Sequence, residues 1–223
     1  MARHDALARI EPVARDLLAR VDTALVSHGA PADHPIWTHL RRLHATPADA
    51  VAFFADGDPE TLLAAGAAVR DQAAGYRAAT IPARVAWHGT VGDLYVAQAA
   101  ALHGHLGDAT HPGPDSLAGR LVATASYVDA VAEWWRESRG SMAVALAEVL
   151  TSAQAVELGA AQREAEAVPA AADIGAHVLA AAARAHDAGY DLLGSWSRRL
   201  DELPYRAPEV GAARFDATID IHH

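Results

Sequence analysis

Apolar residues recur at intervals of three and four positions along most of the 223-residue chain, and this spacing constrains the fold more than any single motif. A step of three or four returns to the same face of an α-helix, whereas a β-strand alternates with a period of two. Alanine, the residue with the highest helix propensity, is abundant, and aromatic residues make up only 6% of the chain. We therefore predict an all-α protein. The first apolar stripe consists of Leu7, Ile10, Ala14, Leu17, Val21 and Leu25.

Proline, glycine and capping residues predict where the helices begin and end. Thr46-Pro47 and Asp58-Pro59 each combine an N-cap residue with proline at the first helical position. A long helical pattern runs from Asp115 to about Glu166, with a kink expected at Gly140, and a last helix follows Pro169.

The helical segments suggest an elongated bundle of two long hairpins with an N-terminal helical segment, all within one structural domain. The predicted parts are an N-terminal segment (1–57), a first hairpin (58–107), a second, longer hairpin (115–203) and an extended tail (204–223).

Trp87-His88-Gly89 stands at the predicted bend of the first hairpin, and Asp93 and Tyr95 follow it. Glycine permits strained backbone at a tight bend, and an indole can cover the open end of a hairpin. Asp93 would lie in the first turn of the next helix, where a negative charge suits the helix dipole. An ordinary helical turn with a core tryptophan would explain the same residues.

Residues 58–107 resemble the WXG family of helical hairpin proteins associated with type VII secretion. The resemblance rests on Trp87, Gly89, Asp93 and Tyr95 between alanine-rich helices. It implies a non-enzymatic protein, either a secreted substrate or an adaptor for one, that acts by helix–helix association. Its partner would be a small helical protein or a second copy of itself, and these four residues would form the bend and the recognition end.

The same resemblance suggests export. Tyr205 and Glu209 have the Tyr-x-x-x-Glu spacing of an export signal in those systems, although Pro208 disfavours the helical turn that would align them. The first 30 residues show no continuous apolar stretch of a signal peptide. We expect a protein that is cytoplasmic before export and is secreted without a cleaved signal peptide. No apolar run of about 18 residues predicts a membrane span.

The charge balance excludes several classes of function. The formal net charge is −10, which argues against nucleic acid as a partner because phosphate binding needs a basic surface. All 18 basic residues are arginine, a bias typical of the GC-rich genomes of actinobacteria, and the lack of lysine rules out a P-loop. The lack of cysteine excludes disulfides and thiolate catalysis. We expect no catalytic residue and no cofactor.

The 13 histidines leave an alternative function open. In this alternative the protein is a helical bundle that uses histidines to bind a metal or another ligand, with or without enzymatic activity. His103, His105 and His111 lie within nine residues of one another, but a His-x-His pair at a helix end points its rings apart, so no metal site is expected. Of two adjacent tryptophans on one helix, Trp135 fits the apolar seam, which leaves Trp134 as a candidate interface residue.

Overall fold

A computed structural model describes residues 5–78, 89–107 and 113–201. Within these ranges the chain forms eight α-helices and no strand, so the all-α prediction is confirmed. The helices are α1 (Ala6–His28), α2 (Ile36–Leu43), α3 (Pro47–Asp56), α4 (Pro59–Ala78), α5 (Thr90–Leu106), α6 (Leu117–Leu150), α7 (Ala153–Ala160) and α8 (Glu164–Asp201).

Side-chain caps fix the starts of the first helices. The Asp5 carboxylate accepts a hydrogen bond of 2.8 Å from the backbone N–H of Ala8 and caps α1. Thr46 and Asp49 form a reciprocal capping box at α3, and Asp58 accepts from the backbone of Thr61 at the start of α4. Each cap satisfies an N–H group that has no partner within its helix. The capping predictions at Thr46 and Asp58 are thus confirmed.

The long helix predicted from residue 115 to 166 is wrong beyond Leu150. The chain continues as one helix through Gly140 and breaks after Leu150, where α7 leaves α6 at 57°. The break occurs because the Ser152 hydroxyl accepts from the N–H of Ala155, which starts a new helix locally. The apolar seam predicted for this long helix includes Val156, which lies beyond the break and is 72% exposed.

The last helix also begins earlier than predicted. α8 starts at Glu164 and contains Pro169 in its second turn. Proline has no backbone N–H, so at Pro169 the backbone ladder of α8 lacks one hydrogen bond, to the carbonyl of Ala165. Pro12 removes one hydrogen bond from α1 in the same way.

The described chain forms two compact units. The first contains residues 5–65 and 127–197, and the second contains the described residues between 66 and 126 together with 198–201. The first unit has a continuous apolar core drawn from α1, α2, α3, α6, α7 and α8. Its most deeply buried large side chains are Leu7, Val21, Ile36, Val51, Met142, Leu146, Leu158, Ile174, Val178 and Leu179.

Small residues let α8 approach its neighbours closely. Ala171, Ala181 and Ala182 are buried along it. A Cβ atom added at Gly175 would lie only 2.8 Å from Cδ1 of Ile36. Because close-packed helices tolerate no such overlap, the α2–α8 contact depends on glycine at this position.

Arg139 joins three segments of the first unit from the middle of α6. Its side chain is only 8% exposed and forms an ion pair with Asp5, the cap of α1. The same guanidinium donates to the backbone carbonyls of Phe54, Ala55 (2.8 Å) and Gly57 (3.0 Å), at the end of α3. The hydrogen bond from Arg139 holds the pKa of Asp5 below its usual range, against the opposing effect of partial burial.

A carboxylate is buried where α1 packs against α3. One oxygen of Asp22 accepts a 2.7 Å hydrogen bond from the Thr46 hydroxyl, whereas its Oδ1 is buried without a hydrogen-bond partner. Burial raises the pKa of Asp22, and the bond from Thr46 offsets this only in part. A carboxyl group with a raised pKa favours the folded state when protonated, so this contribution is lost as the pH rises through the folded-state pKa.

We therefore expect Asp22→Asn to raise the midpoint of thermal unfolding at pH 7, because asparagine keeps an acceptor for Thr46 without the buried charge. The gain should shrink as the pH falls, because a raised pKa means that the native carboxyl takes up its proton more readily than an ordinary aspartate. Thermal unfolding followed by circular dichroism between pH 4 and pH 7 measures this. A variant less stable than the native protein at pH 7 would contradict the interpretation.

Candidate association stripe and aromatic groove

The structure describes part of the WXG-like motif. Trp87 and His88 lie outside the described residues, whereas Gly89 stands immediately before α5. Its φ of +81° lies in the region that favours glycine, and among the described residues no atom lies within 4 Å of a Cβ added there. Asp93 occupies the first turn of α5 and its backbone N–H donates to the Gly89 carbonyl at 3.0 Å. Tyr95 is half-buried one turn after Thr90.

The inward face of α5 differs from the predicted one. The spacing in the sequence predicts an inward stripe of Val91, Leu94, Tyr95, Gln98, Leu102 and Leu106. Of these, Val91, Leu94 and Leu102 are 62%, 45% and 41% exposed. The buried positions are Gly92 and Ala99. Because Gly92 and Ala99 have small side chains, this face can pack closely, and the larger side chains lie on other faces of α5. For α4 the spacing predicts a stripe of Leu62, Gly66, Val69, Ala73, Tyr76 and Thr80. Gly66 and Ala73 are buried, Leu62, Val69 and Tyr76 are half-buried, and Thr80 lies outside the described residues.

Three exposed aliphatic residues of α5 share one face, and a fourth, Val96, which is 46% exposed, lies on another. Val91, Leu94 and Leu102 are separated by three and eight positions, which returns to the same side of an α-helix. They extend over about 17 Å at about 1.5 Å per residue. We call this surface the α5 stripe. Clustered exposed aliphatic side chains mark surfaces used in association.

Four aromatic side chains pack together between α3 and α6. Trp134 and Trp135 are both half-buried, and Phe53 and Phe54 cover them, with ring-centroid distances of 5.3 Å for Phe53–Trp135 and 6.3 Å for Phe54–Trp134. The indole N–H of Trp134 donates to the Ala185 carbonyl at 2.8 Å. Trp134, the candidate interface residue, thus packs partly into the first unit.

Beside this cluster lies a cavity of about 640 Å³ between α3, α6 and α8, which we call the aromatic groove. Leucine, valine, alanine and glycine supply most of the remaining wall. In the part of the chain that the structure describes, the charged or titratable side chains at the groove are Asp49, His186 and two tyrosines, with no arginine among them. The aromatic residues that line it are Phe53, Phe54, Tyr127, Trp134 and Tyr190.

The histidines do not converge in the part of the chain that the structure describes. Neither they nor the carboxylates there form a group of three or more that could hold a metal ion. His34 contacts Asp173 at 3.0 Å and His177 contacts Glu148 at 2.7 Å. His111 lies outside the described residues, as do Tyr205 and Glu209 of the predicted export signal.

Among the described helices, no single one is long and apolar enough to cross a membrane. The bent pair α6–α7 passes that test by length and composition alone, and Met142, Leu146 and Val149 of α6 are buried in the core of the first unit.

Comparison of the chain with protein-family models, with curated proteins and with solved structures finds no match.

The aromatic cluster predicts opposite effects for two glycine-to-alanine substitutions. A Cβ at Gly57 would fall 1.9 Å from the Trp135 indole, so Gly57→Ala must displace the ring and should destabilise the protein by about 1–3 kcal/mol. Gly140 lies within α6 with open space around it, so Gly140→Ala should stabilise by about 0.5–1 kcal/mol. Urea unfolding followed by tryptophan fluorescence measures both. Equal effects of the two substitutions would contradict this packing.

Proposed function

We propose that this protein is a non-enzymatic helical interaction protein that binds a small helical partner, or a second copy of itself, through the α5 stripe. The observation that carries the proposal is the exposure of Val91, Leu94 and Leu102 on one face of the helix that follows Gly89. The function matches that implied by the resemblance of residues 58–107 to WXG proteins, namely a type VII secretion substrate or an adaptor for one.

The α5 stripe offers enough apolar surface to support association. Complete burial of an exposed valine or leucine side chain contributes roughly 1.5–3 kcal/mol. Three partly exposed side chains buried together would therefore contribute several kcal/mol before the entropic cost of association is subtracted. A partner helix with apolar residues at spacings of three and four could cover all three.

In this proposal the two predicted hairpins, 58–107 and 115–203, form one elongated bundle. Trp87 would cover the bend next to Gly89, and the positive φ of Gly89 supports a sharp entry into α5. The protein would be cytoplasmic before export and would leave the cell without a cleaved signal peptide, with Tyr205 and Glu209 as its export signal.

The test compares two pairs of charged substitutions at exposed aliphatic residues. Leu94→Glu with Leu102→Glu alters the α5 stripe, and Val26→Glu with Val156→Glu is the matched control at side chains that are 78% and 72% exposed. The native chain is co-expressed with the products of its neighbouring genes, and the mass is measured by light scattering after size exclusion. We expect a one-to-one complex or a homodimer that the stripe variant weakens at least tenfold and the control leaves intact.

A native chain that remains monomeric under these conditions would contradict the proposal. Equal losses in both double variants would also contradict it, because the effect would then come from added charge and not from the stripe. Circular dichroism of each variant shows whether the helices are retained.

A further inference from the structure

We propose that the aromatic groove is a binding site for a small hydrophobic molecule whose polar end is neutral or positively charged. This site goes beyond the proposed association function. It is built from residues of the first unit, whereas the α5 stripe belongs to the second.

The dimensions of the groove favour a small molecule over a helix. Its volume of about 640 Å³ falls within the range of roughly 300–1,000 Å³ found for small-molecule pockets. The wall that α8 provides, residues 182–193, is about 17 Å long, but the helical part of the α3 wall, residues 49–54, covers only about 8 Å. A partner helix of three turns would therefore lack a wall along half of its length.

The lining of the groove determines the hydrophobic part of the ligand. Five aromatic rings and several aliphatic side chains surround the space. Phe54 and Trp135 contact Trp134 edge-to-face, and the hydrogen bond from Trp134 to the Ala185 carbonyl holds its indole, so this part of the lining is packed within the protein before a ligand enters. A preformed apolar pocket binds without the entropic cost of ordering its side chains. Aromatic faces also attract a cation within about 6 Å.

The charges at the groove determine the polar end. Asp49 lines the groove, and its carboxylate is held by the backbone N–H of Thr46 at 3.3 Å. A second carboxylate lies close behind it, because the Thr46 hydroxyl that accepts from the Asp49 N–H at 3.2 Å donates to Asp22 at 2.7 Å. Among the described residues no arginine lines the groove, and Arg42 is paired with Asp187. The negative charge of Asp49 would repel a ligand that carries a carboxylate and would attract a cation.

The test uses three probes with the same ten-carbon chain: decyltrimethylammonium, 1-decanol and decanoate, all below the concentrations at which they aggregate. Calorimetry and quenching of tryptophan fluorescence measure their binding to the full chain. We expect one site that binds the cation and the alcohol, with decanoate weaker than the cation by at least about threefold. Failure of all three to bind, or equal binding of the cation and decanoate, overturns the proposal.

Two substitutions locate the site. Asp49→Asn keeps an acceptor for the Thr46 N–H and removes the charge. It should therefore weaken binding of the cation about threefold and leave binding of decanol unchanged. Asp16→Asn, at an exposed residue of α1, changes the net charge equally and is the control. Equal effects of these two variants on the cation would overturn the assignment to Asp49.

Ala45→Trp fills the rim of the groove, so it should weaken binding of the cation and of the alcohol at least tenfold. The circular dichroism of the helices should be retained. Unchanged binding in this variant overturns the proposal. The proposal is also overturned if the native protein is a homodimer that Ala45→Trp dissociates, because a second copy of the chain would then occupy the groove. Loss of probe binding in Leu94→Glu with Leu102→Glu, but not in Ala45→Trp, would place the probes on the α5 stripe.

Discussion

The first unit depends on the buried guanidinium of Arg139. A charged side chain that is almost fully buried is costly unless its hydrogen bonds are satisfied. Arg139 meets this condition with one carboxylate, that of Asp5, and three backbone carbonyls at the end of α3. These partners come from the start of α1 and the end of α3, so one side chain sets the positions of both helix termini relative to α6. It also satisfies carbonyls that a helix end leaves without partners.

The position of α3 in turn builds the aromatic groove. Phe53 and Phe54 cover the two tryptophans only because α3 ends where Arg139 holds its carbonyls, and Gly57 then passes directly against the Trp135 ring. The groove remains open because α3 is short and stops before it can cover the space between α6 and α8. The same arrangement that stabilises the first unit thus leaves an apolar surface accessible for binding.

Local patterns in the sequence predicted the helices. The features that these patterns did not predict depend on contacts between distant parts of the chain. Thr46-Pro47 and Asp58-Pro59 could be predicted because a cap is a contact between residues a few positions apart. The break at Ser152 was hidden by apolar spacing that continues across it. The rotation of α5 depends on which face packs, and Gly92 with Ala99 gave too weak an apolar signal. The role of Arg139 could not be predicted because its partners lie more than 80 positions away in the sequence. Its neighbours Ser138 and Gly140 predicted only an interruption of the helix.

The most direct test of this account is a double-mutant cycle between Asp5 and Arg139, measured by urea unfolding. Asp5→Asn preserves a good N-cap and removes the charge, and Arg139→Met preserves much of the side-chain volume. We predict a coupling free energy of about 2 kcal/mol, because each partner loses most of its value once the other is absent. Free energies of unfolding that add within about 0.5 kcal/mol would contradict the central role of this ion pair.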